Sequence, residues 1–185
     1  VFPNLYMEEK MSGAFNLKEL YRGTILREGY PRNSIFFDQE HGRLLKEVLG
    51  YQGCQLSVYM PTFRGHTDDV EGDTYVEQVR SYLEVIDKGM QDDQILLLKL
   101  HPLVQKGLDL DNYRHIRPFP SELDTYDVLN ACDVLITDYS SVMYDFANTG
   151  RKIILFAYDL EDYMGHRGMY EDIRSYPFTI AETQE

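Results

Sequence analysis

The chain has no Trp and only two Cys, Cys54 and Cys132, far apart in its 185 residues. That spacing builds neither a disulfide framework nor a four-ligand zinc site, and a reducing cytoplasm is the default compartment. Basic residues are scarce, with 18 Lys and Arg against 31 Asp and Glu and a formal net charge of -13. Nucleic acid calls for a basic stripe, which is missing. The same balance argues against strong binding to an anionic membrane surface. It leaves room for a small anionic ligand, which local dipoles and a few Arg or His can hold against a distant net charge. No apolar run approaches a membrane span. The N-terminal VFPNLYMEEK lacks the basic-then-apolar order of a signal peptide. It also lacks an initiator Met, and the chain is expected to be a piece of something longer.

Missing motifs narrow the chemistry further. There is no G-x-G-x-x-G dinucleotide fingerprint and no G-x-x-x-x-G-K-[ST] phosphate loop. There is no H-E-x-x-H and no Cys/His cluster, so no metal or cofactor is expected. The absence of G-x-S-x-G weakens a hydrolase reading of any serine. DDVEGD is acidic but fails the spacing of a calcium loop and reads as solvated.

What remains is a core-forming chain with 43% hydrophobic residues, no internal repeat and no low-complexity tract. The first thirty residues are poorly patterned. From Asp38, DQEHGRLLKEVLG predicts a helix with Leu44, Leu45, Val48 and Leu49 on one face, stopped by Gly50. QLSVYM predicts a strand ended by Pro61. DTYVEQVRSYLEVIDKGM predicts a helix capped by Asp73. QILLLKLHP is a nearly continuous apolar strand, as expected of one buried on both faces. YRHIRPF is a shorter strand, and SELDTYDVLNAC a helix with Ser121 or Asp124 at its cap. DVLITD is a strand, SSVMYDFANTG a helix closed by Gly150, and KIILFA a strand. This alternation predicts an α/β fold: a Rossmann-like parallel sheet with helices on both faces.

In such sheets ligands gather at the carboxyl ends of strands. VLIT reaches that end at Asp138, and a helix then starts at Ser140 or Ser141. Free backbone N–H groups and two hydroxyls there form a phosphate cradle. A plain helix cap at Ser140 is an equal alternative from these residues alone. A carboxylate repels phosphate, so Asp138 is expected to orient the turn by accepting backbone N–H groups, with magnesium ligation the weaker reading. Lys99 and His101 stand at the tip of the most apolar strand, where an imidazolium can neutralise or protonate a leaving phosphate. Thr62 and Arg64 follow another strand. Arg32 lies in GYPRNS, which alone reads as a loop, and Arg64 suits phosphate by its forked donors, with a solvent-facing arginine the alternative.

Taken in order, GYPRNS, YMPTFR, KLHP, DVLITDYSSVMYDFA and AYDLEDYMGHRG resemble the CDP-glycerol glycerophosphotransferase family, the teichoic-acid polymerases and primases of Gram-positive cell walls. The resemblance runs from about Gly29 to Gly168. It implies a GT-B-like fold of two Rossmann-like halves, with this chain as the C-terminal, donor-binding half. Residues 29–185 would then be the nucleotide-donor domain and residues 1–28 a segment leading in from an absent N-terminal half. The implied reaction moves glycerol phosphate, or ribitol phosphate in relatives, from a CDP-activated donor to a hydroxyl of a polyol-phosphate polymer or lipid-linked acceptor, releasing CMP. The resemblance implies donor-pyrophosphate contacts from His101, Ser140 and Ser141, with Arg32, Arg64 and Arg167 lining the donor side. It also implies a full-length protein peripheral at the inner face of the cell membrane.

Three positions depart from the family pattern: Ser34 replaces an Asp, Phe63 a Trp, and Arg151-Lys152 a Lys-Pro. The family's base is a histidine of the other half in an HG turn. EHGR at His41 falls after GYPRNS, so His41 is read as a surface helix residue. Two other readings remain: a GT-B glycosyltransferase half that binds a nucleotide sugar, and a non-catalytic nucleotide- or phosphate-binding domain of the phospho-receiver kind.

Overall fold

The fold is given by a computed structural model, which describes residues 1–62, 72–101, 106–166 and 168–183; for residues 72–74 and 166 only the backbone is described. Six strands form one parallel sheet: β1 Gln55–Met60, β2 Gln94–Leu98, β3 Ile116–Pro118, β4 Val134–Thr137, β5 Lys152–Phe156 and β6 Thr179–Ala181. Their order is β3-β2-β1-β4-β5-β6. The order reverses between β1 and β4, where Ser57 pairs with Val134 on one side and Leu96 on the other.

Side chains alternate across the strands with period two and feed two cores. Leu56, Val58, Leu97, Leu135, Ile153 and Leu155 enter one, which is closed by Val128, Leu129 and Phe146. Tyr59, Leu96, Leu98 and Phe156 enter the other, which is closed by Val79 and Leu83. Helices α5 Thr125–Ala131 and α6 Val142–Phe146 thus cover the first face, and α4 Gly72–Gly89 covers the second. Each fully buried leucine contributes about 1.5–3 kcal/mol. The continuous apolar runs of the central strands follow from burial on both sides, and the expected α/β architecture is present.

The structure adds elements that the pattern did not reveal. Helices α1 Leu5–Ala14 and α2 Leu17–Leu20 occupy the N-terminal segment. Helix α1 is tied to the far end of the chain: the Tyr6 hydroxyl donates to Glu171 at 2.7 Å, and Lys10 lies 5.5 Å from the Tyr170 ring centroid. A seven-residue 3₁₀ turn, Pro31–Phe37, follows α1 and α2. Edge strand β6 is only three residues long.

Helix α3, Gln39–Val48, starts as predicted at Asp38, whose carboxylate accepts the His41 N–H. Its inner face differs from the expectation. Leu45 packs on the core, but Leu44 is 46% exposed and Val48 81% exposed. The helix is turned by Gly42, which lies against the backbone of Asn130 on α5. In α5, Asp124 and not Ser121 is the cap, accepting the Tyr126 N–H at 2.8 Å. The predicted cap Asp73 has a side chain outside the described residues.

Arg151 covers the other end of α5. Its guanidinium donates to the carbonyls of Asn130 and Cys132 at 2.5 and 2.6 Å, a cation where the helix dipole favours one. One departure from the family pattern therefore has a structural task.

Cys132 is completely buried, and burial pushes its thiol up to about 12. Alkylation at pH 8 is expected to modify Cys54, which is partly exposed, and to reach Cys132 only in denaturant, as counted by mass spectrometry. Two adducts on the native protein would contradict this burial. The thiol is neutral in the fold, so its contribution to stability is complete below about pH 8.5 and is lost as pH rises towards 12.

Candidate functional site

The carboxyl ends of β1, β2, β4 and β5 carry Thr62, Lys99 with His101, Asp138 to Ser141, and Tyr158 with Asp159. These strands are neighbours in the sheet, so their following residues share one rim. The centre of that rim lies between β1 and β4, where open α/β sheets hold their ligands.

Asp138 braces this point. It is 1% exposed and its carboxylate faces inward. It accepts the Thr62 N–H with both oxygens at 2.9 Å, the Thr62 hydroxyl at 2.7 Å and the Tyr139 N–H at 2.6 Å. A buried carboxylate is stable only when so compensated. Asp138 therefore ties the end of β1 to the turn after β4, the orienting role anticipated from repulsion between carboxylate and phosphate.

The turn presents Ser140 and Ser141. Ser141 holds the cap position of α6 with helical backbone angles, φ -62° and ψ -11°, and makes no side-chain cap bond. Ser140 contributes its carbonyl to the Met143 N–H. Among the described residues neither hydroxyl has a hydrogen-bond partner. The plain-cap alternative thus does not describe this turn, and both hydroxyls are unspent. Helix α6 is itself only five residues long, so its dipole is a small term beside the hydroxyls.

Tyr139, between the brace and the serines, went unnoticed in the sequence. Its ring stacks on Tyr163 of α7, Leu160–His166, with centroids 3.8 Å apart. Its hydroxyl donates to Asp159 at 2.9 Å. The stack joins the β4 turn to the β5 turn and stiffens the rim.

His101 is exposed at the β2 rim. Lys99 precedes it with its ammonium 4.0 Å from the Phe119 ring centroid. Burial lowers the Lys99 pKa, and the Asp124 charge opposes this in part. An incoming anion would favour the charged form.

Arg32 is carried by the 3₁₀ turn and not by a rim strand, and it pairs with Asp145 of α6 at 3.1 Å. Arg64 and Arg167 lie outside the described residues. His41 is exposed on α3, with its Nε2 3.1 Å from Asp127. It is the surface residue expected. Among the described residues no group of three or more His, Cys, Asp or Glu is placed to hold a metal ion, and no helix is long and apolar enough to cross a membrane.

Comparison with known proteins bears on the fold and the family. The family model described as CDP-Glycerol:Poly(glycerophosphate) glycerophosphotransferase matches residues 1–185. The Teichoic acid poly(glycerol phosphate) polymerase of Bacillus spizizenii is 31% identical over 192 residues, covering 100% of this chain and 48% of that protein. The Teichoic acid glycerol-phosphate transferase of Staphylococcus aureus is 33% identical over 191 residues, with the same coverage. A solved structure of the Wall Teichoic Acid Polymerase TagF superposes with a TM-score of 0.80 at 30% identity, covering 99% of this chain and 45% of that one. A second, soaked with CDPG, gives 0.78 at 31% identity, covering 99% and 44%. The fold is thus that of one part of a GT-B-like enzyme. The chain spans about half the length of the curated relatives it matches. It belongs to the CDP-Glycerol:Poly(glycerophosphate) glycerophosphotransferase family.

Proposed function

We propose that this chain is the donor-binding portion of a CDP-glycerol (or CDP-polyol) glycerophosphotransferase that acts in teichoic acid or related cell-wall polymer synthesis. Family membership sets the reaction class. The observation that carries the assignment to this surface is the braced turn, with the Ser140 and Ser141 hydroxyls unspent at the reversal of the sheet.

In this reading the donor pyrophosphate lies on the turn. The acceptor hydroxyl attacks the glycerol-bearing phosphorus, the bond to CMP breaks, and the acceptor loses its proton to a base supplied by the other half. Phosphoryl transfer of this kind is mostly positioning and stabilisation of the charge that develops on the leaving group. Ser140 and Ser141 donate hydrogen bonds to phosphate oxygens. His101, across the rim, gives the departing CMP phosphate a further hydrogen bond or proton. Resemblance to the family further assigns Arg32, Arg64 and Arg167 to the donor side. The acceptor is a polyol-phosphate polymer or lipid-linked starter, met at the inner face of the membrane by the full-length protein.

Calorimetric titration with CDP-glycerol, CDP and UDP-N-acetylglucosamine tests this. The chain is expected to prefer the cytidine ligands. His101→Ala is expected to weaken CDP binding by about tenfold, the order of one lost hydrogen bond to a charged group, and the Ser140→Ala/Ser141→Ala double variant, which loses two, by about a hundredfold. Equal affinity for the uridine sugar would point to a nucleotide-sugar enzyme. Unchanged affinity in the serine variant would remove the turn from the site.

A further inference from the structure

Asp145 is 5% exposed in the inner surface of α6, between Met143 and Phe146 of the core. An acid in that position needs compensation, and three separate donors supply it. The Tyr126 hydroxyl of α5 donates at 2.8 Å, and the Asn33 amide of the 3₁₀ turn at 2.9 Å. Arg32 donates through Nε at 3.3 Å and through Nη2 at 3.1 and 3.4 Å. All its bonds to Asp145 use one edge of the guanidinium.

The other edge is unspent. Among the described residues Nη1 has no hydrogen-bond partner, and the Arg32 side chain is 50% exposed. The guanidinium also sits over two rings, with Cζ 4.4 Å from the Tyr30 ring centroid and 5.7 Å from that of Tyr126. A carboxylate bonded along one edge and two tyrosine rings close by limit the rotation of the guanidinium. Burial opposes its charge, but the charge and hydrogen bonds of Asp145 outweigh that and raise its pKa.

The location is set by the helix. Asp145 follows Ser141 by four residues, so the two share a face about one turn apart, roughly 6 Å along the axis. Arg32, fixed to Asp145, lies on the flank of α6 that begins at the serine turn. We propose that Asp145 is a positioning residue, which with Tyr126 and Asn33 aims the free Nη1 edge of Arg32 at a phosphate oxygen of the ligand on that turn. This rests on the donor-binding reading above. The ion pair cancels most of the guanidinium's distant field, so Arg32 acts through aimed hydrogen bonds. That explains how one cation can be effective on a chain of net charge -13.

The test compares CDP with cytidine, which has the base and sugar but no phosphate, on the wild-type chain, Asp145→Asn, Tyr126→Phe, Arg32→Ala and Arg32→Ala/Asp145→Asn, with thermal unfolding of each. Asp145→Asn keeps the shape and loses the charge. It is expected to weaken CDP about tenfold, as for a lost charge-assisted bond, and to leave cytidine unchanged. Tyr126→Phe is expected to act in the same sense, more weakly. In the Arg32→Ala background the Asp145 change is expected to have no further effect on CDP. Parallel loss of cytidine and CDP, or an undiminished Asp145 effect without Arg32, would make Asp145 merely structural and overturn the proposal while the donor reading stands. Failure of the wild-type chain to bind CDP would overturn the donor reading and this proposal with it.

Discussion

Asp138→Ala is expected to cost the fold about 3–5 kcal/mol, because two backbone N–H groups and one hydroxyl lose a charged acceptor in a largely buried place. Each orphaned donor costs on the order of 1–3 kcal/mol, and the small cavity adds to this. Urea unfolding should show a lower midpoint with an unchanged slope, the signature of lost stability in a fold of the same compactness. Asp138→Asn keeps the volume but turns an amide N–H₂ towards the Thr62 N–H, and should fall between the two. CDP binding should fail in the Ala variant even under conditions where it remains folded, since the β1 end and the serine turn are no longer tied. A stability within 1 kcal/mol of wild type would mean that the turn is held by something other than this carboxylate.

Gly42→Val is the second large effect. A Cβ at Gly42 would stand 2.5 Å from the Asn130 carbonyl oxygen and 3.0 Å from its carbonyl carbon. These are backbone atoms of a helix that is also held by Arg151 and cannot swing aside. Overpacking of this kind costs about 1–3 kcal/mol and more where backbone must move. A branched residue brings two further carbons, so about 3 kcal/mol is expected for Val. Gly42→Ala is the sharper comparison. Its gain in helix propensity is about 1 kcal/mol, and the clash should outweigh it. Denaturant midpoints of the two variants decide the matter, and a stabilised Gly42→Ala would show that α3 and α5 can separate freely.

Gly42 also illustrates what a sequence can and cannot disclose. Strands β1, β2, β4 and β5 were legible because burial on both faces writes an almost uninterrupted apolar run, and the short β3 was legible within YRHIRPF. Strand β6 was not, since Thr179–Ala181 is a three-residue edge with partly exposed side chains. The face of α3 was misjudged because four aliphatic residues suggest a stripe, whereas a glycine contact with Asn130, remote in sequence, sets the rotation. The rim was legible at Asp138, Ser140, Ser141 and His101 because strand ends in a parallel sheet lie on one side. The Arg32–Asp145 pair was not, since its members are 113 residues apart. One signal was available: the Asp of SSVMYDFA occupies the apolar side of its helix, between Met143 and Phe146, and an acid there has to have a buried partner.

The pairing of β1 with β4 has a consequence for how the chain is made. Met60 and Thr137 are 77 positions apart, yet they close the centre of the sheet. At ribosomal rates of about 5–20 residues per second, the β4 side of β1 waits on the order of 4–15 s for its neighbour. During that interval β1 can join β2 but keeps one row of backbone donors and acceptors open, with Leu56 and Val58 uncovered until α5 and α6 emerge. A nascent chain stalled before Val134 is therefore an unsealed strand edge, the form most prone to pair with its copies and most in need of a chaperone.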